Sequence, residues 1–134
     1  MANSVVHFEI FTSDVERTRK FYEQVFGWRF EAGAYPDFYH IQAGAAGDPG
    51  LTLGLLAKRH RQVADREAST NAFRCTVSVK SLKDTLAAVQ AAGGSLRSSI
   101  TEIPPVGTVA EITDDDGNVL CLMEYVAGHP LAAR

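Results

Sequence analysis

The segment Val6-His7-Phe8-Glu9-Ile10 indicates the fold most clearly, because a second segment of similar pattern, Phe73-Arg74-Cys75-Thr76-Val77, begins 67 residues after it. This offset is half the length of the 134-residue chain. The same offset places Leu53-Gly54-Leu55-Leu56 on Leu120-Cys121-Leu122-Met123. Identities between the halves are few, so the repeat lies in the hydrophobic pattern and in the order of the predicted elements. A repeat of this kind indicates a fold built from two copies of one supersecondary unit.

Each half is predicted to form a βαβββ unit. Alternating apolar residues predict a first strand over residues 5–11 and its repeat over residues 73–79. A helix follows each strand, and glycines end both helices. The helix starts are predicted from two capping boxes, Ser13 with Glu16 and Ser81 with Asp84. Three strands are expected after each helix, over residues 28–32, 38–43 and 50–56 in the first unit and 95–102, 108–113 and 119–125 in the second.

The last two strands are predicted to form a hairpin. Asp116-Gly117-Asn118 lies between them, and an Asp-Gly pair tolerates the positive φ that such a turn requires. The acidic run of residues 114–116 favours this turn over a calcium site, because the loop lacks alternating ligand spacing and a closing glutamate.

Composition predicts one globular domain over residues 1–134, with 46% hydrophobic and 22% charged residues. We assign unit one to residues 4–57, a charged linker to 58–70, unit two to 71–126 and a tail to 127–134.

The net charge of −3, with both signs mixed along the chain, argues against nucleic acid as a partner. No apolar run reaches the roughly 18 residues that a membrane span needs, so no membrane partner is expected.

The two cysteines, Cys75 and Cys121, are expected to be free thiols, because they form no CxxC pair and the N-terminus lacks a signal-peptide pattern. Both features favour the cytoplasm. Cys75 is expected to be a core residue.

Two tandem βαβββ units, with a histidine in the first strand, resemble the vicinal oxygen chelate superfamily of glyoxalases, bleomycin resistance proteins and extradiol dioxygenases. The residues that carry the resemblance are 6–10, Phe21-Tyr22-Glu23, Phe26-Gly27-Trp28 and 115–122. The resemblance implies an α+β fold, in which an eight-stranded, incompletely closed sheet surrounds a cleft and the helices lie outside. It also implies a small-molecule ligand in the cleft and a homodimer.

In metal-dependent members of this superfamily, four residues on the first and last strands of the units hold a divalent ion. The resemblance places these positions at His7, Gly54, Arg74 and Cys121. Only His7 matches the usual ligand type, since Gly54 has no side chain and Cys121 replaces a carboxylate. Arg74 is a permanent cation without a lone pair. We therefore expect no metal and no other cofactor, while ligation of a divalent metal by Glu9 or Glu111 stays open as an alternative.

Strand alternation predicts which side chains share the cleft face. That set is largely apolar with a few polar groups, as in many small-molecule pockets. It comprises His7, Glu9, Phe11, Thr52, Gly54, Leu56, Arg74, Thr76, Ser78, Val119, Cys121 and Met123. Trp28, Tyr39, His40 and Gln42 are expected at its mouth.

Three of these residues are the catalytic candidates. Arg74 is expected either to grip a substrate carboxylate or phosphate, with His7 or Glu9 as the proton acceptor, or to form a structural ion pair with Glu9. Cys121 is interpreted as a residue that lines the cavity rather than as a nucleophile.

The first functional hypothesis is a metal-free small-molecule-binding protein, of the kind that sequesters an antibiotic. One alternative is a metal-dependent lyase or isomerase of the lactoylglutathione lyase type, in which a metal polarises vicinal oxygens. Another is a metal-independent acid–base enzyme that uses His7, Glu9 and Arg74. The sequence leaves open whether the protein is an enzyme, and it identifies no substrate.

Overall fold

The computed structural model describes residue 2, residues 5–58 and residues 74–134. By its internal contacts the chain divides into two units, Met1–Arg66 and Glu67–Arg134. The predicted linker lies outside the described residues except for Lys58, which ends a strand. No helix of the described residues is long and apolar enough to cross a membrane.

The first unit has the predicted βαβββ order. Its elements are β1 (Phe8–Thr12), α1 (Val15–Phe26), β2 (Arg29–Ala32), β3 (Phe38–Gln42) and β4 (Leu53–Lys58). The strands pair in the order β1-β4-β3-β2, with β1 parallel to β4 and the other pairs antiparallel. Because the pairing of β1 with β4 begins at Phe8, His7 lies directly before the strand and not within it, contrary to the prediction.

Helix α1 covers one face of this sheet. Val15 from the helix packs with Ile41 and Leu56 from the sheet, and all three side chains are buried. Phe8 and Ile10 pack against the same cluster, as predicted from strand alternation. The face that carries His7 and Glu9 is therefore the one turned away from α1.

The predicted start of α1 is displaced by one residue. Asp14 is the N-cap, and its carboxylate accepts a hydrogen bond from the Arg17 N–H at 3.1 Å. The Glu16 carboxylate bonds the Tyr39 hydroxyl at 2.5 Å and the Arg19 guanidinium at 2.9 Å. Gly27 ends the helix with a φ of 69°, as expected for a glycine C-cap.

The second unit has the same order, with one strand interrupted. Its elements are β5 (Thr76–Ser78), α2 (Leu82–Ala91), β6 (Ser95–Leu96), β7 (Thr101–Ile103), β8 (Gly107–Thr113) and β9 (Val119–Tyr125). The strands pair in the order β5-β9-β8-β6, and β7 also pairs with β8. The α+β class and the two βαβββ units are confirmed. The prediction of one eight-stranded sheet is wrong, because the described residues form nine strands in two sheets.

The extra strand arises from a bulge at residues 97–100. Leu96 pairs with Ile112 and Thr101 pairs with Val109, so four residues lie opposite only two. The Glu111 carbonyl accepts from both the Arg97 and Ser98 N–H groups, at 2.8 and 3.3 Å. The predicted continuous strand over residues 95–102 is therefore divided into β6 and β7.

Helix α2 begins where the sequence predicts. The Ser81 hydroxyl accepts from the Asp84 N–H at 3.1 Å and caps the helix. Glu124 from β9 accepts from the Leu82 N–H at 2.7 Å, which satisfies another N–H of the first turn. The helix ends at Ala91, with Ala92 as its C-cap, and Gly93 follows with a φ of 98°.

The predicted turn between β8 and β9 is confirmed, and Asp114 organises it. One carboxylate oxygen of Asp114 accepts from the N–H groups of Asp116 and Asn118, and the other accepts from the Asn118 side-chain amide. Gly117 has a φ of 85°, a conformation that favours glycine. Asp114 is 2% exposed, so the turn is held from within the fold.

Gly54 gives the Phe8 ring room on the α1 side of the first sheet. The two residues pair across β1 and β4, and a Cβ at Gly54 would lie 2.5 Å from the tip of the Phe8 ring. That ring packs against Trp28, with the ring centroids 5.5 Å apart. The absence of a side chain at residue 54 therefore serves packing between strand and helix.

We predict that Gly54→Ala destabilises the protein by about 1–3 kcal/mol, because the added methyl group displaces Phe8. Phe8→Leu shortens the opposing side chain, so the cost of the double substitution should be smaller than the sum of the single costs. Urea unfolding followed by circular dichroism measures all three free energies. Strictly additive costs would contradict the contact.

Candidate functional site

The second unit brings together the predicted residues of β5 and β9. Thr76 pairs with Cys121 and Ser78 pairs with Met123, so these four side chains share one face of the sheet. Arg74, two residues before Thr76, lies on the same face. Alternation along β9 places Val119 there as well.

A pocket of about 140 Å³ opens on this face. The strands β7, β8 and β9 and the bulge before β7 form it. Its lining residues are Arg74, Ser98, Ser99, Thr101, Val109, Ala110, Glu111 and Cys121. Two of the four positions that the resemblance implies, Arg74 and Cys121, are therefore in one pocket, and Glu111 joins them because it pairs with Cys121.

The pocket contains an ion pair. Arg74 Nη1 lies 2.5 Å from Glu111 Oε2, and Arg97 Nε lies 3.4 Å from the other oxygen of the same carboxylate. The predicted partner of Arg74 was Glu9. The structure instead pairs Arg74 with Glu111, because the β8–β9 register places Glu111 on the Arg74 face. Glu9 has His7 as its neighbour, with 3.6 Å between Oε1 and Nε2.

Cys121 is 3% exposed and lines the base of the pocket. Burial is the main cause that raises the pKa of its thiol; the Glu111 carboxylate raises this pKa further, and Arg74 opposes the shift. A thiol with a raised pKa stays protonated at neutral pH and is a weak nucleophile. This agrees with the interpretation of Cys121 as a lining residue. Cys75, expected in the core, is exposed, since it precedes the edge strand β5.

The tail folds back onto the edge of the same sheet. The Ser78 hydroxyl donates to the Leu131 carbonyl at 2.6 Å, and the Tyr125 and His129 rings stack with their centroids 4.3 Å apart. Ser78 is thereby engaged by the chain itself, whereas Thr76 is exposed.

In the first unit, the structure separates residues that were predicted to share a face. His7, Glu9 and Phe11 lie on the face turned away from α1. Gly54 and Leu56 face the helix, Leu56 being fully buried in the core, and Thr52 precedes β4. The prediction for Gly54 and Leu56 is therefore wrong.

The cause is a shift of one residue in the repeat. Glu9 pairs with Leu55, and Thr76, 67 residues after Glu9, pairs with Cys121. The structural counterpart of Cys121 is therefore Leu55, which lies 66 residues before it, and not Gly54. A shift of one residue moves a side chain to the other face of a strand.

The aromatic residues predicted at the mouth of the site divide between the two faces. Trp28 stacks on Tyr22 of α1, with ring centroids 5.0 Å apart, and Tyr39 bonds Glu16 of α1, so both lie on the helix side. His40 and Gln42 alternate with Ile41 and therefore lie on the other face.

The residues at the four family-equivalent positions do not fit a divalent ion. Gly54 faces the Phe8 ring, and its structural replacement, Leu55, also lacks a donor atom. Arg74 is a cation, and its ion pair with Glu111 also engages the nearest carboxylate. Among the residues that the structure describes, no three His, Cys, Asp or Glu side chains are grouped as a metal ligand set.

Sequence reasoning underestimated Glu111 and missed the bulge. The signal for Glu111 was present, since a hairpin turn at residues 116–118 sets β8 against β9 and places residue 111 opposite residue 121. No comparable sequence signal predicts that the bulge and Thr101 contribute to the pocket, because a bulge in an edge strand depends on backbone hydrogen bonds with the neighbouring strand.

A larger groove of about 400 Å³ lies beside α2, and it does not contain these groups. Its lining residues are Leu82, Lys83, Leu86, Ile100, Thr108 and Glu124. The Glu124 carboxylate is engaged by the Leu82 N–H, so the groove offers few free polar groups. The smaller pocket is the better candidate site, because its charged and hydroxyl groups converge.

Comparison with known proteins gives one family. A family model described as Glyoxalase/Bleomycin resistance protein/Dioxygenase superfamily matches residues 4–122. A protein from Didymella fabae, named Glyoxylase-like domain-containing protein, is 32% identical over 114 residues, which are 82% of this chain and 84% of that protein.

Solved structures share the fold at low sequence identity. A glyoxylase/bleomycin resistance protein/dioxygenase domain from Frankia sp. EAN1pec has a TM-score of 0.70 at 21% identity, covering 96% of each chain. A mutant of the fosfomycin resistance protein FosX from Listeria monocytogenes has a TM-score of 0.69 at 13% identity, covering 98% of this chain and 97% of its own. That FosX structure is complexed with Mn(II) and 1S,2S-dihydroxypropylphosphonic acid.

Proposed function

Because the chain belongs to the Glyoxalase/Bleomycin resistance protein/Dioxygenase superfamily, we propose that it is a small-molecule-binding protein that works without a bound metal ion. The ligand lies in the pocket of the second unit. Arg74 and Cys121 line this pocket, and Thr76 and Met123 lie on the same face of the sheet as Cys121. We assign no catalytic role to His7 and Glu9, whose side chains are 48% and 46% exposed.

One observation carries this proposal: Arg74, at a position where the resemblance implies a metal ligand in metal-dependent members, lies in the pocket with a carboxylate partner, Glu111. A guanidinium at this position repels a dication. The same guanidinium, held in place by Glu111, is suited to hydrogen-bond a ligand.

The lyase or isomerase alternative depends on a metal that polarises the substrate. The Listeria FosX of the same fold has Mn(II) in its structure. At two of the positions that the resemblance implies for metal ligands, this chain has Arg74 and either Gly54 or its structural replacement Leu55, so the donor set for such an ion is incomplete. The binding hypothesis needs only the pocket and its polar groups.

A homodimer is part of the proposal. The face of the first sheet that is turned away from α1 carries Leu53, which is 55% exposed, and the half-buried Phe11 and Leu55. Exposed apolar side chains that share a face are typical of an interface. The cytoplasm is the proposed compartment, because Cys75 and Cys121 are free thiols, which are usual in reducing compartments.

We expect light scattering to give twice the mass of one chain. Leu53→Glu should shift the protein to the monomer, because it adds a charge to the apolar face. Leu96→Glu is the matched control, since Leu96 is also exposed, at 43%, but lies on the edge strand β6 of the other sheet. A monomeric wild-type protein would contradict the dimer.

Ligand binding is tested by titrating the ¹⁵N-labelled protein with a fragment library of acids and neutral aromatics, with and without EDTA. We expect saturable shifts at the amides of Arg74, Ser98, Glu111 and Cys121 that EDTA does not change. Thr101→Phe should abolish the shifts by filling the pocket.

Glu102→Phe is the control for this variant, because Glu102 neighbours Thr101 in β7 and alternates to the other side of the strand. If fragments of every charge fail to shift these amides, the proposed function is wrong. Shifts that EDTA abolishes would favour the metal-dependent alternative.

A further inference from the structure

We propose that the pocket of the second unit is a subsite for an anionic head group, a carboxylate or a phosphonate, and that Arg74 and Arg97 together hold it. This inference rests on the proposed function, because it names the chemical class of the ligand that the same pocket binds. Arg97 and the bulge that carries it are the residues that determine this specificity.

The charges around the pocket do not balance. Arg74 and Arg97 both approach the carboxylate of Glu111, at 2.5 and 3.4 Å, one guanidinium at each oxygen. Arg74 and Glu111 are the lining residues with a charged side chain, and Cys121 is neutral. Arg97 does not line the pocket, but its guanidinium reaches the same carboxylate, so this cluster of two cations and one carboxylate has an excess positive charge that one bound anion would neutralise.

Hydroxyl groups stand beside these cations. Within the described part of the chain, the side-chain hydroxyls of Ser99 and Thr101 have no hydrogen-bond partner, and both residues line the pocket. The Ser98 hydroxyl has a different role, because it accepts from the Glu111 N–H at 2.8 Å and donates to the Ser99 carbonyl at 2.9 Å. Ser98 thereby fixes the bulge, and Ser99 and Thr101 remain as donors for anionic oxygens.

The size of the pocket agrees with a head group. Its volume of about 140 Å³ is equivalent to roughly five water molecules at ~30 Å³ each. Pockets for whole drug-sized ligands measure roughly 300–1,000 Å³. A carboxylate or phosphonate therefore fills this pocket, and the rest of the ligand lies outside it, on the exposed face around Thr76.

Glu111 acts as the internal counter-ion of Arg74 and Arg97. It holds both guanidiniums in place, and it also competes with an incoming anion for them. Replacing Glu111 with a neutral side chain of the same shape should therefore strengthen anion binding. A merely structural ion pair would give the opposite result, since its loss would loosen the pocket.

The test measures the affinity for methylphosphonate and for acetate by ¹⁵N chemical-shift titration of the full chain at low salt. We expect Arg97→Gln to weaken both affinities about tenfold, the usual effect of losing one charge-assisted hydrogen bond. Glu111→Gln should strengthen both several-fold. Lys83→Gln is the matched control, because it removes the same charge from the groove beside α2 and should change neither affinity.

The outcomes separate this inference from the proposed function. If neutral fragments bind the pocket while methylphosphonate and acetate do not, the anion subsite is wrong and the binding function stands. Equal weakening by Lys83→Gln and Arg97→Gln would show general charge attraction and overturn the subsite. Weaker binding by Glu111→Gln would show that the ion pair only holds the pocket together, and it would overturn the counter-ion role. Preference for one probe over the other identifies the head group.

Discussion

The Asp114 carboxylate sets the register on which the second unit depends. It holds the turn between β8 and β9 through hydrogen bonds to Asp116 and Asn118. The register that follows places Glu111 opposite Cys121. This pairing brings the Glu111 carboxylate to Arg74. The resulting ion pair supplies the charged groups that line the pocket.

Much of the fold could be predicted from the sequence, because helix caps, turns and hydrophobic periodicity are local signals. Ser81, Gly27 and the turn at residues 116–118 all act as their residue types indicate. The site was harder to predict, because it depends on register between strands distant in sequence. The 67-residue repeat matched Gly54 with Cys121, whereas the strand pairing matches Leu55 with it. This shift of one residue places Gly54 and Leu56 on the face of the sheet opposite to the predicted one.

The two units have diverged in chemistry while they share an architecture. At equivalent strand positions the first unit has Glu9 beside Leu55, and the second has Thr76 beside Cys121. The ion pair, the hydroxyl groups and the bulge at residues 97–100 belong to the second unit. Membership of the superfamily therefore gives the fold of this chain, while the residues around Arg74 give its chemistry, an arrangement common among folds that host many functions.

We propose that this member of the superfamily works without a metal ion. Inductively coupled plasma mass spectrometry tests this by measuring the metal content of tag-free protein as purified and again after incubation with nickel, zinc, manganese or ferrous iron. We expect every metal to stay far below one ion per chain after desalting. Retention of one ion per chain would contradict it and would favour the metal-dependent lyase or isomerase.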